Sequence, residues 1–361
     1  MRKLKFVILL FLPSGYLSAQ DTLTLTFIGD VMMHQTQINS AKTLNGYQLD
    51  DCFSYISSHL SAADITVANL EVTLAGAPYS GYPQFCAPDA LPEALQRAGV
   101  DVLLTANNHA CDKGKKGVER TLQVLDSLHF LHTGTFYDSL SRDSATPLLL
   151  IHNNIEMALL NYTYGTNGIA VPPPTVVNLI DTLQMFADIE RAKALQPDII
   201  AVAIHWGDEY QLYPNEKQRN IADFLARNGV RLIIGSHPHV LQPIELLYAA
   251  DSTVETVVVY SLGNFISNMT AANTDIGALV NIRLVKCNDE IIIDHVGYTY
   301  AWTYKPQAEG KRRFYVLPAA DYEDNSAFFT DTASYKRMTN ALSAMRKLYT
   351  TANKGIITED K

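Results

Sequence analysis

Short apolar runs alternate with amphipathic helical stretches from about residue 20 to about residue 240, and this rhythm constrains the fold more than any other feature of the chain. "TLTLTFIGD" alternates apolar and polar residues and ends at Gly29-Asp30. "ADITVANLE" is a second strand-like run, ending in Asn69, Leu70 and Glu71. "ALPEALQRAGV" reads as a helix stopped by Gly99, and "DVLLTANNH" as a strand ending in Asn107, Asn108 and His109. "GVERTLQVLDSL" has helical periodicity. Further on, "PDIIAVAIHWG" is a strand ending in His205, "NEKQRNIADFLARNG" a helix with a glycine stop, and "VRLIIGSHPH" a strand closing on His237-Pro238-His239. Such alternation predicts an α/β fold with parallel or mixed sheets. After about residue 255 the pattern becomes strand after strand, as in "GALVNIRLVKC" and "EIIIDHVGYTYAW". "TASYKRMTNALSAMRKLYT" predicts a helical C-terminal extension within 321–361. "NGIAVPPPTVVN" is a stiff extended loop between the two halves, suited to border a cleft.

In open α/β sheets, ligands sit beyond the carboxyl ends of the strands. Here those ends carry Asp30, Asn69 with Glu71, Asn108 with His109, His205, and His237 with His239. These are oxygen and nitrogen donors suited to Zn²⁺, Mn²⁺ or Fe. Each piece alone has an ordinary explanation. Gly-Asp is a common turn, Glu71 a solvated carboxylate, His205 beside Trp206 a packed histidine, and "NNH" a capped turn. His-Pro-His is more specific, because proline biases the residue before it toward extended backbone and so holds two imidazoles in one segment. Five such endings together predict a metal site. His34 lies four residues after Asp30, near the same edge. His59, His129, His132, His152 and His295 sit in helix or strand contexts without acidic motif partners and read as structural.

The first twenty residues, "MRKLKFVILLFLPSGYLSAQ", place three cations before a short apolar core and end in small residues. This pattern predicts a secretory signal peptide cleaved after Ala19, and export to a periplasmic or extracellular compartment. The apolar run is too short for a membrane span, and no cysteine follows it for lipid attachment. Removing residues 1–19 takes the formal net charge from −9 to −12. An acidic chain repels phosphate backbones, so nucleic acid is not the expected partner. Cys52, Cys86, Cys111 and Cys287 are widely spaced with no C-x-x-C pair, which argues against a zinc knuckle. Disulfides and buried thiols both remain open for them. With 47% hydrophobic residues in 361, a single domain over 20–320 has ample core.

"GDVMMH", "ANLEVTL", "TANNHACDKG", "AIHWGDEY", "GSHPHVLQPIE" and "YSLGNFI" occur in order over about residues 23 to 268. This series is very similar to the motifs of the CapA capsule-synthesis family, which is linked to poly-γ-glutamate and capsule production and related to calcineurin-like metallophosphoesterases. The resemblance implies a four-layer α/β/β/α sandwich holding one or two divalent transition ions (Zn, Mn or Fe) at one edge. In the phosphoesterase relatives the first strand ends in Asp-x-His, whereas here the segment is Asp30-Val31-Met32 and the histidine is missing. By the same resemblance Glu71 matches the bridging acid, Asn108 the ligand amide, and His205, His237 and His239 the remaining ligands. His109 matches the histidine that faces the scissile group, with Asp112 orienting it. Gly263-Asn264 would close the site from the next strand. The implied activity is hydrolysis of a phosphoester, on a small substrate or an anionic polymer. The alternative is a non-catalytic role, gripping an anionic polymer or docking on a membrane capsule-synthase complex. Carbohydrate hydrolysis through paired carboxylates leaves the histidines without a use.

Overall fold

Alternation along the strand Asp21–Val31 sends its side chains to two different cores, and this builds the layers. The computed structural model describes residues 21–359 except 289, 309 and 356, so the signal-peptide reading falls outside the described residues. Leu23, Leu25 and Phe27 point one way, onto Leu159, Ala201 and Ile234 of a second sheet. Ile28 points the other way, with Ala68 and Leu103, onto Leu91 and Leu95 of the helix Ala90–Ala98. The second sheet repeats the arrangement. Leu160, Val202 and Ile233 pack outward on Met185 and Ile189 of the helix Thr182–Ala194 and on Ala222 and Leu225 of the helix Glu216–Arg227. Two sheets thus stack face to face between two helical layers, as expected for an α/β/β/α sandwich of the metallophosphoesterase type.

The first sheet runs in the order Tyr315–Pro318, Glu290–Tyr304, Ile276–Cys287, Asp21–Val31, Ile65–Leu70, Val102–Leu104, Leu131–Thr133. Asp21–Val31 is the junction: it is parallel to Ile65–Leu70 and antiparallel to Ile276–Cys287. The second sheet runs Leu241–Tyr248, Val254–Leu262, Leu232–Ser236, Ile199–His205, Ile155–Thr163, Leu148–His152. Its four inner strands are parallel and its two edges antiparallel. Most of the parallel strands of both sheets come from the alternating part of the chain, where crossover helices return each strand to the same end, but Val254–Leu262 and Asn264–Ile266 follow it.

"VETVVVYSLGNFI" does not form one strand. Val254–Leu262 belongs to the second sheet, and Asn264–Ile266 pairs with Asp21–Val31 in the first. Gly263, at φ 64°, turns the chain between them, and its carbonyl accepts the Asp30 backbone N–H at 3.0 Å. Gly29 is required beside it, because a Cβ there would lie 1.9 Å from the Gly263 oxygen. The two sheets are therefore stitched together directly beneath Asp30.

The C-terminal helix Thr332–Ala352, capped by Asp331, buries Met338, Leu342, Met345 and Tyr349 in the core between the sheets. Tyr349 packs edge-on against Tyr298 at 4.8 Å. No helix among the described residues is long and apolar enough to cross a membrane. None of the four cysteines is joined to another in a disulfide.

Candidate metal centre

The expected strand endings converge. Asp30 is the penultimate residue of its strand, Glu71 follows Ile65–Leu70 directly, and His205 is the last residue of Ile199–His205. Asn108 and His109 lie in the loop after Val102–Leu104, and His237 and His239 in the turn after Leu232–Ser236. All seven of these side chains belong to buried residues. Glu71 is the centre of the group. Its Oε1 lies 3.8 Å from His205 Nε2, 3.9 Å from His239 Nε2 and 4.0 Å from His109 Nε2. Donor atoms of Glu71, His205 and His237 fall within 4.8 Å of one another, and so do those of Asp30, Glu71 and His239. Glu71 is common to both of these triads, so one carboxylate could serve two neighbouring cation positions.

Supporting contacts fix each donor. Asp30 accepts from Asn69 Nδ2 at 2.8 Å and lies 3.3 Å from His239 Nδ1. His205 has Asn108 Oδ1 at 2.9 Å on Nε2 and Ser236 Oγ at 2.9 Å on Nδ1. His239 Nδ1 also meets Asn264 Oδ1 at 3.0 Å, so the Gly263-Asn264 segment does close the cluster from the neighbouring strand. Asp112 Oδ2 is 2.7 Å from His109 Nδ1 and accepts the Phe85 backbone N–H at 2.6 Å.

Two features test whether these residues suit a cation. Glu71 is fully buried, yet neither of its carboxylate oxygens accepts a hydrogen bond from a described residue, and His237 Nδ1 is also unpartnered. Buried polar atoms are ordinarily satisfied, so this cluster of orphaned polar atoms is one that could hold a divalent ion. The electrostatics agree. Burial, reinforced by the Asp30 charge, pushes the Glu71 carboxyl well above its usual range. Burial, and then the other imidazoles, hold His205 far below the ordinary histidine value, and His237 is pushed down to about 3. For His239 burial pulls downward, but the Asp30 contact outweighs it and the net shift is upward. Imidazoles kept neutral are in the form that binds metal.

The His-Pro-His backbone differs from the extended segment expected of it. His237 has φ 100° and His239 φ 59°. Proline's clash rule disfavours right-handed helical backbone at the preceding residue but does not exclude this left-handed region. A non-glycine residue there costs on the order of 1–3 kcal/mol and persists only where its surroundings hold it. Two contacts hold them: His237 N donates to Asp30 Oδ2 at 3.4 Å, and Tyr210 N donates to Pro238 O at 2.8 Å.

The family model for the bacterial capsule synthesis protein PGA_cap matches residues 24–269, a span that contains every residue of this cluster. The chain belongs to the PGA_cap family. It is 30% identical over 275 residues to the PGA biosynthesis protein CapA of Bacillus subtilis (strain 168), covering 74% of this chain and 69% of that one. It is 27% identical over 287 residues to the capsule biosynthesis protein CapA of Bacillus anthracis, covering 76% and 67%. Among solved structures, the NAD nucleotidase NadN of Haemophilus influenzae has a TM-score of 0.50 at 12% identity, covering 95% of this chain. The chain spans 64% of that structure, and the likeness is one of fold alone.

In this PGA_cap member several site residues escaped the reading of strand ends. Tyr164 packs tilted against His237, with ring centroids 4.5 Å apart and 43° between the rings. Asn107 ties the loop together, donating to Leu70 O at 2.8 Å and accepting His109 N at 3.1 Å. Glu209 has a carboxylate oxygen within 4.8 Å of donor atoms of His237 and His239. His34 lines the cleft over the centre but belongs to none of the donor groups, and burial lowers it to about 4. The proline-rich loop reaches the site through Asn167, whose Oδ1 accepts from Asn108 Nδ2 at 3.3 Å.

Proposed function

We propose that this protein is an exported, metal-dependent phosphoester hydrolase serving capsule or exopolymer biosynthesis of the poly-γ-glutamate kind. The observation that carries the reading is Glu71, a buried carboxylate without hydrogen-bond donors, ringed by three imidazole nitrogens at 3.8–4.0 Å. Asp30, Glu71, Asn108, His205, His237 and His239 would hold one or two divalent transition ions. A bound ion supplies Lewis-acid stabilisation of phosphoryl charge and lowers the pKa of water.

The rest of the task falls to the chain's own groups. The cleft above the cluster, about 350 Å³, is lined by Met32, His34, Tyr82, His109, Glu209 and Tyr210 among others, and among the described residues by no lysine or arginine. An anionic phosphoryl group there would meet imidazole N–H groups and the metal centre, with the Lys305 ammonium behind the cleft wall, donating to Met269 O at 2.7 Å. His109 is positioned for proton transfer. Asp112 accepts from Nδ1 and fixes the ring, leaving Nε2 directed toward the cluster to protonate a leaving oxygen. Export is supported by the cation–apolar–small pattern of residues 1–19, and the role in capsule synthesis by family membership. An anionic polymer, presented by a membrane-bound synthase complex, is the partner this role implies.

The test is turnover of a generic phosphodiester by chelated protein reloaded with Mn²⁺ or Zn²⁺. Hydrolysis that needs the metal and is lost in His237→Ala supports the reading. Metal-loaded protein that hydrolyses none of a broad set of phosphomonoesters and phosphodiesters would favour the non-catalytic polymer-binding role, to which the Met32 substitution also points.

A further inference from the structure

We infer that Glu209 is a metal ligand, bringing from the loop after Ile199–His205 a carboxylate to the donors of His237 and His239. The inference rests on the metal-centre reading above and adds a residue that the strand-end pattern does not contain.

The placement of Glu209 is built into the backbone. Trp206 N donates to Ser236 O at 3.0 Å, and Tyr210 N donates to Pro238 O at 2.8 Å. These two bonds fasten the segment Trp206–Tyr210 along the Ser236–His239 turn, so the residue between them overhangs His237 and His239. Gly207, at φ 91°, lets the loop make this bend; a Cβ there would meet the Gln218 side chain at 2.7 Å. The neighbouring acid is turned elsewhere, since Asp208 Oδ2 accepts from Asn215 Nδ2 at 2.7 Å. Glu209 is left facing the cleft, with an oxygen within 4.8 Å of donor atoms of both histidines.

A second observation points to a ligand at this spot. His237 is 3% exposed and its Nδ1 has no partner, so a buried donor atom is aimed into the same group. Met32 lines the same cleft. Its thioether is a poor ligand for the hard or borderline ions that carboxylates and imidazoles prefer. Glu209 thus adds a carboxylate from the cleft side to the two imidazoles of His237 and His239. Glu209 is exposed, so it can swing away when substrate oxygen needs the position, whereas the buried donors cannot.

The experiment is metal stoichiometry and affinity, by equilibrium dialysis with elemental analysis and by calorimetry with Mn²⁺, on wild type, Glu209→Gln and Asp208→Asn. Both substitutions are near-isosteric and at exposed positions, and each removes one negative charge beside the cleft. Expected is wild type binding two ions, Glu209→Gln weakening one of them by at least about tenfold with the other unchanged, and Asp208→Asn leaving both unchanged. Equal weakening in the two variants would show a diffuse charge effect and overturn ligation. Unchanged affinities in Glu209→Gln would also overturn it, with the metal centre itself intact. Wild type binding no ion would overturn the underlying metal-centre reading, and the role of Glu209 with it. If Glu209→Gln fails to fold by circular dichroism, Glu209→His replaces it. Retention of both ions by His with loss of one in Glu209→Ala supports ligation, and retention in both refutes it.

Discussion

Replacing Glu71 with Gln should have opposite effects on stability in the absence and presence of metal. Glu71 is fully buried, accepts no hydrogen bond and lies beside the Asp30 carboxylate, so its folded pKa is raised well above the unfolded value of 4.5. The sign follows from linkage. Below pH 4.5 the group is protonated folded or unfolded and costs nothing extra. As pH rises from 4.5 through the raised folded pKa, the unfolded state sheds its proton first, and stability falls. At neutral pH metal-free wild type therefore carries a buried carboxyl penalty. Gln has the same shape, no charge to bury and a permanent N–H toward Asp30. An unsatisfied buried polar group costs about 1–3 kcal/mol, so chelated Glu71→Gln should be more stable by about that amount. In thermal melts this is a rise of roughly 2–6 °C, taking about 2 °C per kcal/mol for a chain of this size. Metal reverses the order. At a free ion concentration 100 times Kd, each site adds about 2.7 kcal/mol to wild type, while the variant lacks the shared carboxylate and gains little. Differential scanning calorimetry at pH 7.5, with chelator and then with Mn²⁺, reads both arms. A chelated variant less stable than wild type, or equal metal stabilisation of the two proteins, would refute the assignment of Glu71 as a charge awaiting a cation.

His109→Ala should keep its metals and fold but lose about 10²–10⁴ in turnover, and Asp112→Asn should lose turnover too; unchanged kcat in His109→Ala would remove it from the chemistry. Gly29→Ala should be among the most damaging small substitutions, costing more than about 3 kcal/mol, because its methyl would sit 1.9 Å from the Gly263 oxygen beneath Asp30; urea unfolding checks this. Burial holds His34 neutral down to about pH 4, against an unfolded value of 6.5, so stability is full above pH 6.5 and falls as pH drops toward 4. His34→Asn should flatten that limb, sparing about 2 kcal/mol between pH 7.5 and pH 5; parallel urea curves for variant and wild type would show otherwise.

The elements that were legible owe their form to neighbours a few residues away. The helix over Glu216–Arg227 starts at Asn215, whose side chain accepts from Gln218 N at 2.9 Å, and stops near Gly229 at φ 86°. Such caps act within one turn, so a sequence window contains them. Two elements carried local signals that the alternation reading passed over. The hairpin of Leu148–His152 and Ile155–Thr163 turns on Asn153 and Asn154, both at positive φ, a dipeptide type favoured in tight turns. The helix Thr182–Ala194 is announced by its Asp181 cap.

By itself the sequence determined the α/β class, the strand ends and most donor types, because periodicity and the side-chain content at strand termini are properties of short segments. Family resemblance, rather than periodicity, indicated how the two sheets stack. Tertiary structure alone decided three things. It sent Asn264–Ile266 across to the first sheet beneath Asp30, bent His237 and His239 into left-handed backbone, and hung Glu209 over them. Each depends on backbone hydrogen bonds between segments distant in the chain, Gly263 to Asp30 and Tyr210 to Pro238. No local preference encodes such partners, since every residue offers the same N–H and C=O, and only the packed fold chooses which of them meet.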